Sequence, residues 1–82
     1  MKRKELLDRI TINPKIVVGK PVIKGTRITV QFILNLLANG AEIREIVEEY
    51  SDLTKEDILA CLLYASKTIE NTTFMPIFEE VV

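Results

Sequence analysis

The sequence is poor in the residues that give small proteins their chemistry or their covalent stability. Its 82 residues include no histidine, no tryptophan and a single cysteine, Cys61. The lack of histidine removes the usual catalytic base at neutral pH, and one cysteine excludes a disulfide within the chain. Cys61 stands among apolar residues of a predicted helix, where a thiol is normally an inert core group. We therefore predict a protein that is not an enzyme and needs no cofactor.

Two further kinds of site are absent from the pattern. The acidic residues of the middle region follow helix-surface spacing, which is typical of a solvated face and not of a metal or acid–base site; they are Glu42, Glu45, Glu48, Glu49 and Asp52. Neither Gly19 nor Gly25 is followed by the Lys-Ser/Thr pair of a phosphate-binding loop.

Long hydrophobic runs are missing as well. The longest apolar stretch, Val30–Ala38, is interrupted by Gln31 and Asn35 and is too short to span a bilayer. No apolar segment follows the basic start of the chain, so we predict a cytoplasmic protein without a membrane partner. A single domain of this size is marginally stable alone. Because 48% of the residues are hydrophobic, we expect a homodimer.

Charge is distributed unevenly, although the net charge is only −1. Residues 1–30 contain eight lysines and arginines against two acidic residues, whereas residues 31–82 contain three against ten. The two parts therefore carry +6 and −7. This asymmetry indicates a polyanionic partner for the first part or attraction between copies, unless both parts are ordinary solvated faces.

Short extended pieces dominate the region before residue 30. Three β-branched runs, Ile10–Ile12, Ile16–Val18 and Pro21–Ile23, are separated by turn signals. Each is too short to form a sheet alone, so they are expected to pair within the chain or with a second copy. Pro21 lacks an N–H group and should lie at an edge or a bend.

The apolar spacing then becomes helical. Val30 to Leu37 and Ile43 to Tyr50 each repeat with the helical period. We predict that Thr29 caps the first of these helices and that Gly40 ends it.

A third helix is predicted from about Lys55 to Glu70. Thr54 and Asp57 resemble a capping box, and Leu53 and Ile58 are spaced for a hydrophobic staple across that cap. The middle of this helix is apolar on every side, which is typical of a helix buried on every side. A domain this small cannot surround a helix, so we place the interface of the dimer here, at Leu59, Leu62, Leu63 and Tyr64.

These elements divide the chain into three parts. Residues 1–9 are a basic arm in which Leu6 and Leu7 can anchor a turn of helix. Residues 10–70 form one domain whose β segment covers 10–29, and residues 71–82 are an apolar and acidic tail. The tail either binds a partner, as exposed apolar segments often do, or folds back onto its own domain.

The region from Ile43 to about Lys67 fits a helix-turn-helix unit. A recognition helix usually has basic or amide side chains near its start, but this one begins Lys55-Glu56-Asp57. We therefore expect contacts with nucleic acid chiefly from the N-terminal cations, unless these form a solvated basic face. The candidates are Lys2, Arg3, Lys4, Arg9, Lys15, Lys20, Lys24 and Arg27, with Lys55 from the third helix.

The segment Gly19–Ile28 is the most specific motif. Gly19 and Gly25 permit turns with positive φ, and Pro21 stiffens the connection between them. The segment is either a contact loop or a sharply bent connection in which Arg27 pairs with a carboxylate.

These residues resemble a known family. The resemblance runs in order from Arg9 to Ser66, and its most specific part is the GKP-x-I-x-GTR-I-x-V core at Gly19–Val30. On this basis the chain is similar to the domain-of-unknown-function family four-three-three. The further segments that match are Leu37–Glu42, Ile46–Tyr50, Leu53–Ile58 and Tyr64–Ala65.

The resemblance implies a fold and a function. It implies a mainly α fold, a three-helix homeodomain-like helix-turn-helix bundle with a short N-terminal β-hairpin or β-rich segment. Members are similar to VapB-type antitoxins, so we expect a type II antitoxin that neutralises a PIN-like ribonuclease toxin and binds its own promoter DNA. The tail would then bind the toxin through Phe74, Met75, Ile77, Phe78, Glu79 and Glu80. The alternative is a protein-interaction or dimerisation module without nucleic-acid binding.

Overall fold

The computed structural model describes residues 3–71, with side chains from residue 5 onward, as a helical domain with one small sheet. Residues 72–82 lie outside this description. The helices are α1 (Arg3–Leu7), α2 (Val30–Ala38), α3 (Ile43–Glu49) and α4 (Lys55–Glu70), and the strands are β1 (Ile10–Ile12) and β2 (Pro21–Ile23). The predicted mainly α class with an N-terminal hairpin is confirmed, and α1 adds a fourth helix within the basic arm.

The two strands pair antiparallel, with Ile10 opposite Ile23 and Ile12 opposite Pro21. Both were predicted from their β-branched residues. Pro21 occupies the first position of β2, where a missing N–H costs least. The sheet therefore needs no second copy to form.

The prediction of a strand at Ile16–Val18 is wrong. Residues Val17–Gly19 form a 3₁₀ turn in which Val17 and Val18 have φ of 49° and 51°. The chain must reverse between β1 and β2, and local hydrogen bonds from Gly19 N to Ile16 O and from Lys20 N to Val17 O close the reversal. The requirement for a turn overrides the β propensity of the valines.

The predicted helix ends are confirmed where the caps were visible in the sequence. The Thr29 hydroxyl accepts a hydrogen bond from the N–H of Phe32 at 3.0 Å, which starts α2. Gly40, at φ 97°, follows the Asn39 cap at its end. At the start of α4, Thr54 and Asp57 form the reciprocal capping box.

The core lies where α2, α3 and α4 meet the hairpin. Its fully buried members include Ile23, Ile33, Ile46, Leu53, Ile58 and Cys61. As expected for a domain this small, one chain does not cover α4 on every side. Leu62 is 42% exposed and Ile69 is 70% exposed.

Candidate binding surfaces

The loop between β2 and α2 presents cations on a tightly bonded turn. Gly25 has φ of 85°, and the Thr26 hydroxyl donates to the Ile23 carbonyl at 2.8 Å while accepting from the Ile28 N–H at 2.9 Å. These bonds hold Lys24 and Arg27 in an exposed position on either side of the turn. The predicted positive φ of Gly19 and Gly25 is confirmed.

Arg27 does not pair with a carboxylate among the side chains described between residues 5 and 71, although Asp52 lines the same shallow depression. Lys15, Lys20 and Lys24 likewise have no ion pair within that range and are exposed. These four residues, Lys15, Lys20, Lys24 and Arg27, are called the cationic segment below.

Arg9 does not belong to that surface. Its Nη1 lies 3.1 Å from Oδ1 of Asp57, and the two side chains are 34% and 10% exposed. The other carboxylate oxygen of Asp57 accepts the Thr54 N–H at 2.9 Å. The expectation that Arg9 contacts nucleic acid loses its basis, because its charge is already matched inside the protein. Sequence reasoning missed this pair, since nothing local links residues 48 positions apart.

The start of α4 is less acidic at its surface than its sequence suggests. Asp57 is buried and bonded, which leaves exposed Lys55 and partly buried Glu56 at the surface. Among the remaining cations, Arg44 pairs with Glu42 and Glu48, and Lys67 pairs with Glu70. Side chains of Lys2, Arg3 and Lys4 lie outside the described residues.

Along α4, the residues predicted to form a dimer interface are only partly covered. Leu62 is exposed, and Leu59, Leu63 and Tyr64 are half-buried. This leaves an apolar strip available on α4, although the dimer itself stays a prediction.

An open apolar groove runs beside the last turns of α4. It has a volume of about 410 Å³, and Lys20 is its one charged lining residue in the described part of the chain. One wall comes from the start of β2 and the first turns of α2, and the other comes from α4. The apolar side chains that line it include Pro21, Val30, Leu34, Tyr64, Ala65 and Ile69.

Cys61 is fully buried, as predicted for an inert core thiol. Burial, and then the negative charge of Asp57, raise its pKa from 9.0 to about 12. The thiol is therefore protonated at neutral pH.

Other kinds of site can be judged only within the described range. Residues 3–71 contain no group of three or more histidine, cysteine or acidic side chains placed to hold a metal ion. None of the helices found there has both the length and the apolar character needed to cross a membrane. The predicted toxin-binding residues, Phe74, Met75, Ile77, Phe78, Glu79 and Glu80, lie outside the described residues.

The Gly19–Ile28 motif lies within a region that matches a known protein family. The profile of the family described as "Protein of unknown function (DUF433)" matches residues 10–65, which is most of the chain. The chain belongs to the DUF433 family. The predicted resemblance over Arg9–Ser66 is thereby confirmed.

A solved DUF433 structure has the same fold. The crystal structure of a DUF433 member protein from Anabaena variabilis superposes with a TM-score of 0.72 at 31% sequence identity. The match covers 82% of this chain and 66% of that protein, so this chain spans slightly less than two thirds of that relative. No curated protein matches the chain.

Proposed function

We propose that this DUF433 protein is the antitoxin of a type II toxin–antitoxin pair, which neutralises a PIN-like ribonuclease and binds its own promoter DNA as a homodimer. The observation that carries the DNA-binding half is the distribution of unpaired cations. Arg9, Arg44 and Lys67 are all engaged by carboxylates, whereas the cationic segment has no such partner among residues 5–71. Its positive charge is therefore available to phosphate groups.

The helix arrangement supports this proposal. A short helix, α3, is followed by a turn at residues 50–54 and a longer helix, α4, which is the order of a homeodomain-like helix-turn-helix unit. The start of α4 presents Lys55 to solvent, while Asp57 is turned inward to Arg9. Base contacts from α4 are thus expected to be few, and the cationic segment supplies most of the phosphate contacts.

The toxin-binding half is supported by the family resemblance and by the composition of the tail. Residues 72–82 combine six apolar residues with Glu79 and Glu80 as their only charges. Such a segment suits a ribonuclease cleft, because that cleft is basic to bind RNA and its walls contact the bases. If deletion of residues 72–82 left toxin binding unchanged, this half of the proposal would be wrong.

Salt dependence tests the DNA-binding half. Neutralising four phosphates should give a slope of log K against log salt of about −3.6 per protomer. Charge reversal at Lys20, Lys24 and Arg27 together should abolish binding to DNA taken upstream of the gene, and each single reversal should reduce the slope by about 1. Lys67→Glu is the matched control, because Lys67 is already paired with Glu70. Unchanged binding by the triple variant would refute the proposal, and selective loss in Lys55→Glu would transfer the contact to α4.

A protein-interaction module without nucleic-acid binding is the second candidate. The apolar groove and the exposed Leu62 favour it, because patches of this kind usually mark protein contacts. A complex with another protein that persists at high salt, together with no affinity for DNA at low salt, would establish this function in place of the first.

A further inference from the structure

The apolar groove beside α4 has no occupant among residues 3–71, and its position suggests one. Ile69 forms part of its wall, is 70% exposed, and lies two residues before Asn71, the last described position. Exposed isoleucine next to a concave apolar surface loses the free energy that burial would contribute. A nearby apolar segment of the same chain would recover it.

We infer that the groove beside the last turns of α4 binds the segment Phe74–Phe78 of its own chain. Two residues, Thr72 and Thr73, separate Asn71 from Phe74. At about 3.3–3.6 Å per extended residue, Phe74 can lie up to about 10 Å from Asn71, which reaches the part of the groove beside Ile69. This inference does not rest on the proposed function.

Size and composition fit this occupant. The groove volume of about 410 Å³ falls in the range of about 300–1,000 Å³ typical of sites that enclose a ligand of drug size. The segment supplies Phe74, Met75, Ile77 and Phe78 around Pro76. Its apolar side chains match walls formed by Val30, Leu34 and Ala65 and their apolar neighbours.

Charge fits as well. Lys20 is the charged residue at the groove, and Glu79 and Glu80 follow the apolar segment directly. Docking of the apolar segment would place these carboxylates within reach of Lys20, which would then be available to phosphate only while the segment is undocked. The attraction would contribute modestly, because the pair would be near the surface.

The linkage within one chain favours the chain's own segment over that of a second copy. A tether of two residues gives the segment an effective concentration on the order of millimolar. A second copy would match this only at a comparable protein concentration. Docking within one chain is therefore favoured over docking between copies at protein concentrations below about millimolar.

Tryptophan fluorescence tests the inference in the full chain. Because the sequence has no tryptophan, Phe78→Trp places a single probe in the segment. A docked tryptophan should emit at shorter wavelength than in denaturant and resist quenching by acrylamide. Docking within the chain should give the same protection over about a hundredfold range of concentration, whereas docking between copies must increase with it.

Two groove variants and one control complete the design. Ile69→Lys, in the Phe78→Trp background, should lower the docking constant at least about tenfold, equivalent to 1.4 kcal/mol, because it places a charge against the apolar segment. Ala65→Leu should weaken docking by filling the groove, without adding charge. Ser66→Lys is the control: it adds the same charge at an exposed position of the same helix that is not part of the groove lining. Circular dichroism should show all three variants folded.

The inference holds if the probe is protected at every concentration, exposed in both groove variants and still protected in the control. A probe exposed in the parent chain overturns it and leaves the groove to a foreign partner. Protection that rises with concentration overturns it in favour of a second copy. Protection that survives both groove variants, or that is lost equally in Ser66→Lys, overturns it by placing the segment elsewhere.

Discussion

The Arg9–Asp57 pair should couple the N-terminal hairpin to α4 energetically. Arg9 comes directly before β1, and Asp57 is in the first turn of α4. Besides the 3.1 Å contact with Arg9, Asp57 accepts the Thr54 N–H at 2.9 Å and so caps its own helix. One carboxylate therefore serves two elements, and its two roles can be separated by substitution.

The expected magnitudes follow from these contacts. Asp57→Ala removes the cap, worth about 0.5–2 kcal/mol, and a charge-assisted hydrogen bond, worth about 1.5–3 kcal/mol when buried. Because Arg9 is 34% exposed, water recovers part of the second contribution, and we expect a total loss of about 2–4 kcal/mol. Asp57→Asn retains an oxygen for the cap and should lose about half as much.

A double-mutant cycle isolates the pair itself. Arg9→Met keeps the aliphatic stem, and the cycle of Arg9→Met with Asp57→Asn should give a coupling energy of about 1–2 kcal/mol. The assay is urea unfolding followed by far-ultraviolet circular dichroism at a fixed protein concentration, so that any association stays constant.

The control cycle uses Arg44 and Glu48, whose side chains are 67% and 68% exposed at a separation of 3.8 Å. Its coupling should be about 0.3–0.5 kcal/mol, as for exposed helix pairs. Equal coupling energies in the two cycles would refute the argument that partial burial makes the Arg9–Asp57 pair a stabilising contact between the N-terminal hairpin and α4.

Three further predictions concern single residues. Val18→Gly should stabilise the protein by about 0.5–1 kcal/mol in urea unfolding. Val18 is 91% exposed at φ 51°, so the relief of left-handed backbone strain should exceed the entropic cost of glycine. A loss of stability would contradict the presence of strain in this turn. Cys61 should resist thiol reagents at neutral pH until the chain unfolds. Burial raises the folded pKa of Cys61 from 9.0 to about 12. The contribution of the protonated thiol to the free energy of unfolding is therefore complete below pH 9 and declines as the pH rises from 9 toward 12. Cys61→Ala should remove this part of the pH dependence of stability. Ile58→Ala, at a fully buried position, should cost about 2–5 kcal/mol in thermal or urea unfolding, and a cost below 1 kcal/mol would show that the core repacks there.

The sequence predicted the elements whose signals are local. Thr29 and Gly40 bound α2, and the Thr54–Asp57 box begins α4 at the residue expected. Caps and turns depend on residues within about four positions of each other, so they can be identified without knowledge of the tertiary fold. The prediction of a strand at Ile16–Val18 failed because it relied on β-branched propensity, which is a local property. The chain must reverse there so that β1 and β2 can pair, and this requirement comes from the tertiary fold.

The candidate surfaces were predictable only in part. The exposed cations Lys20, Lys24 and Arg27 were recognised from composition and motif, whereas Arg9 was grouped with them although it is half-buried and paired with Asp57. Charge counts along a chain carry no information on which cations find a partner across the fold.

The chain by itself therefore determined its helical class, the bounds of α2, α3 and α4, and the concentration of positive charge before residue 30. Only the tertiary structure decided that Arg9 pairs with Asp57 and does not join the cationic segment. It also decided that α4 is buried on one side and that an apolar groove lies beside Ile69. The physical reason is distance along the chain. Periodicity and capping are properties of neighbouring residues, whereas ion pairs, burial and grooves arise between residues that only folding brings together.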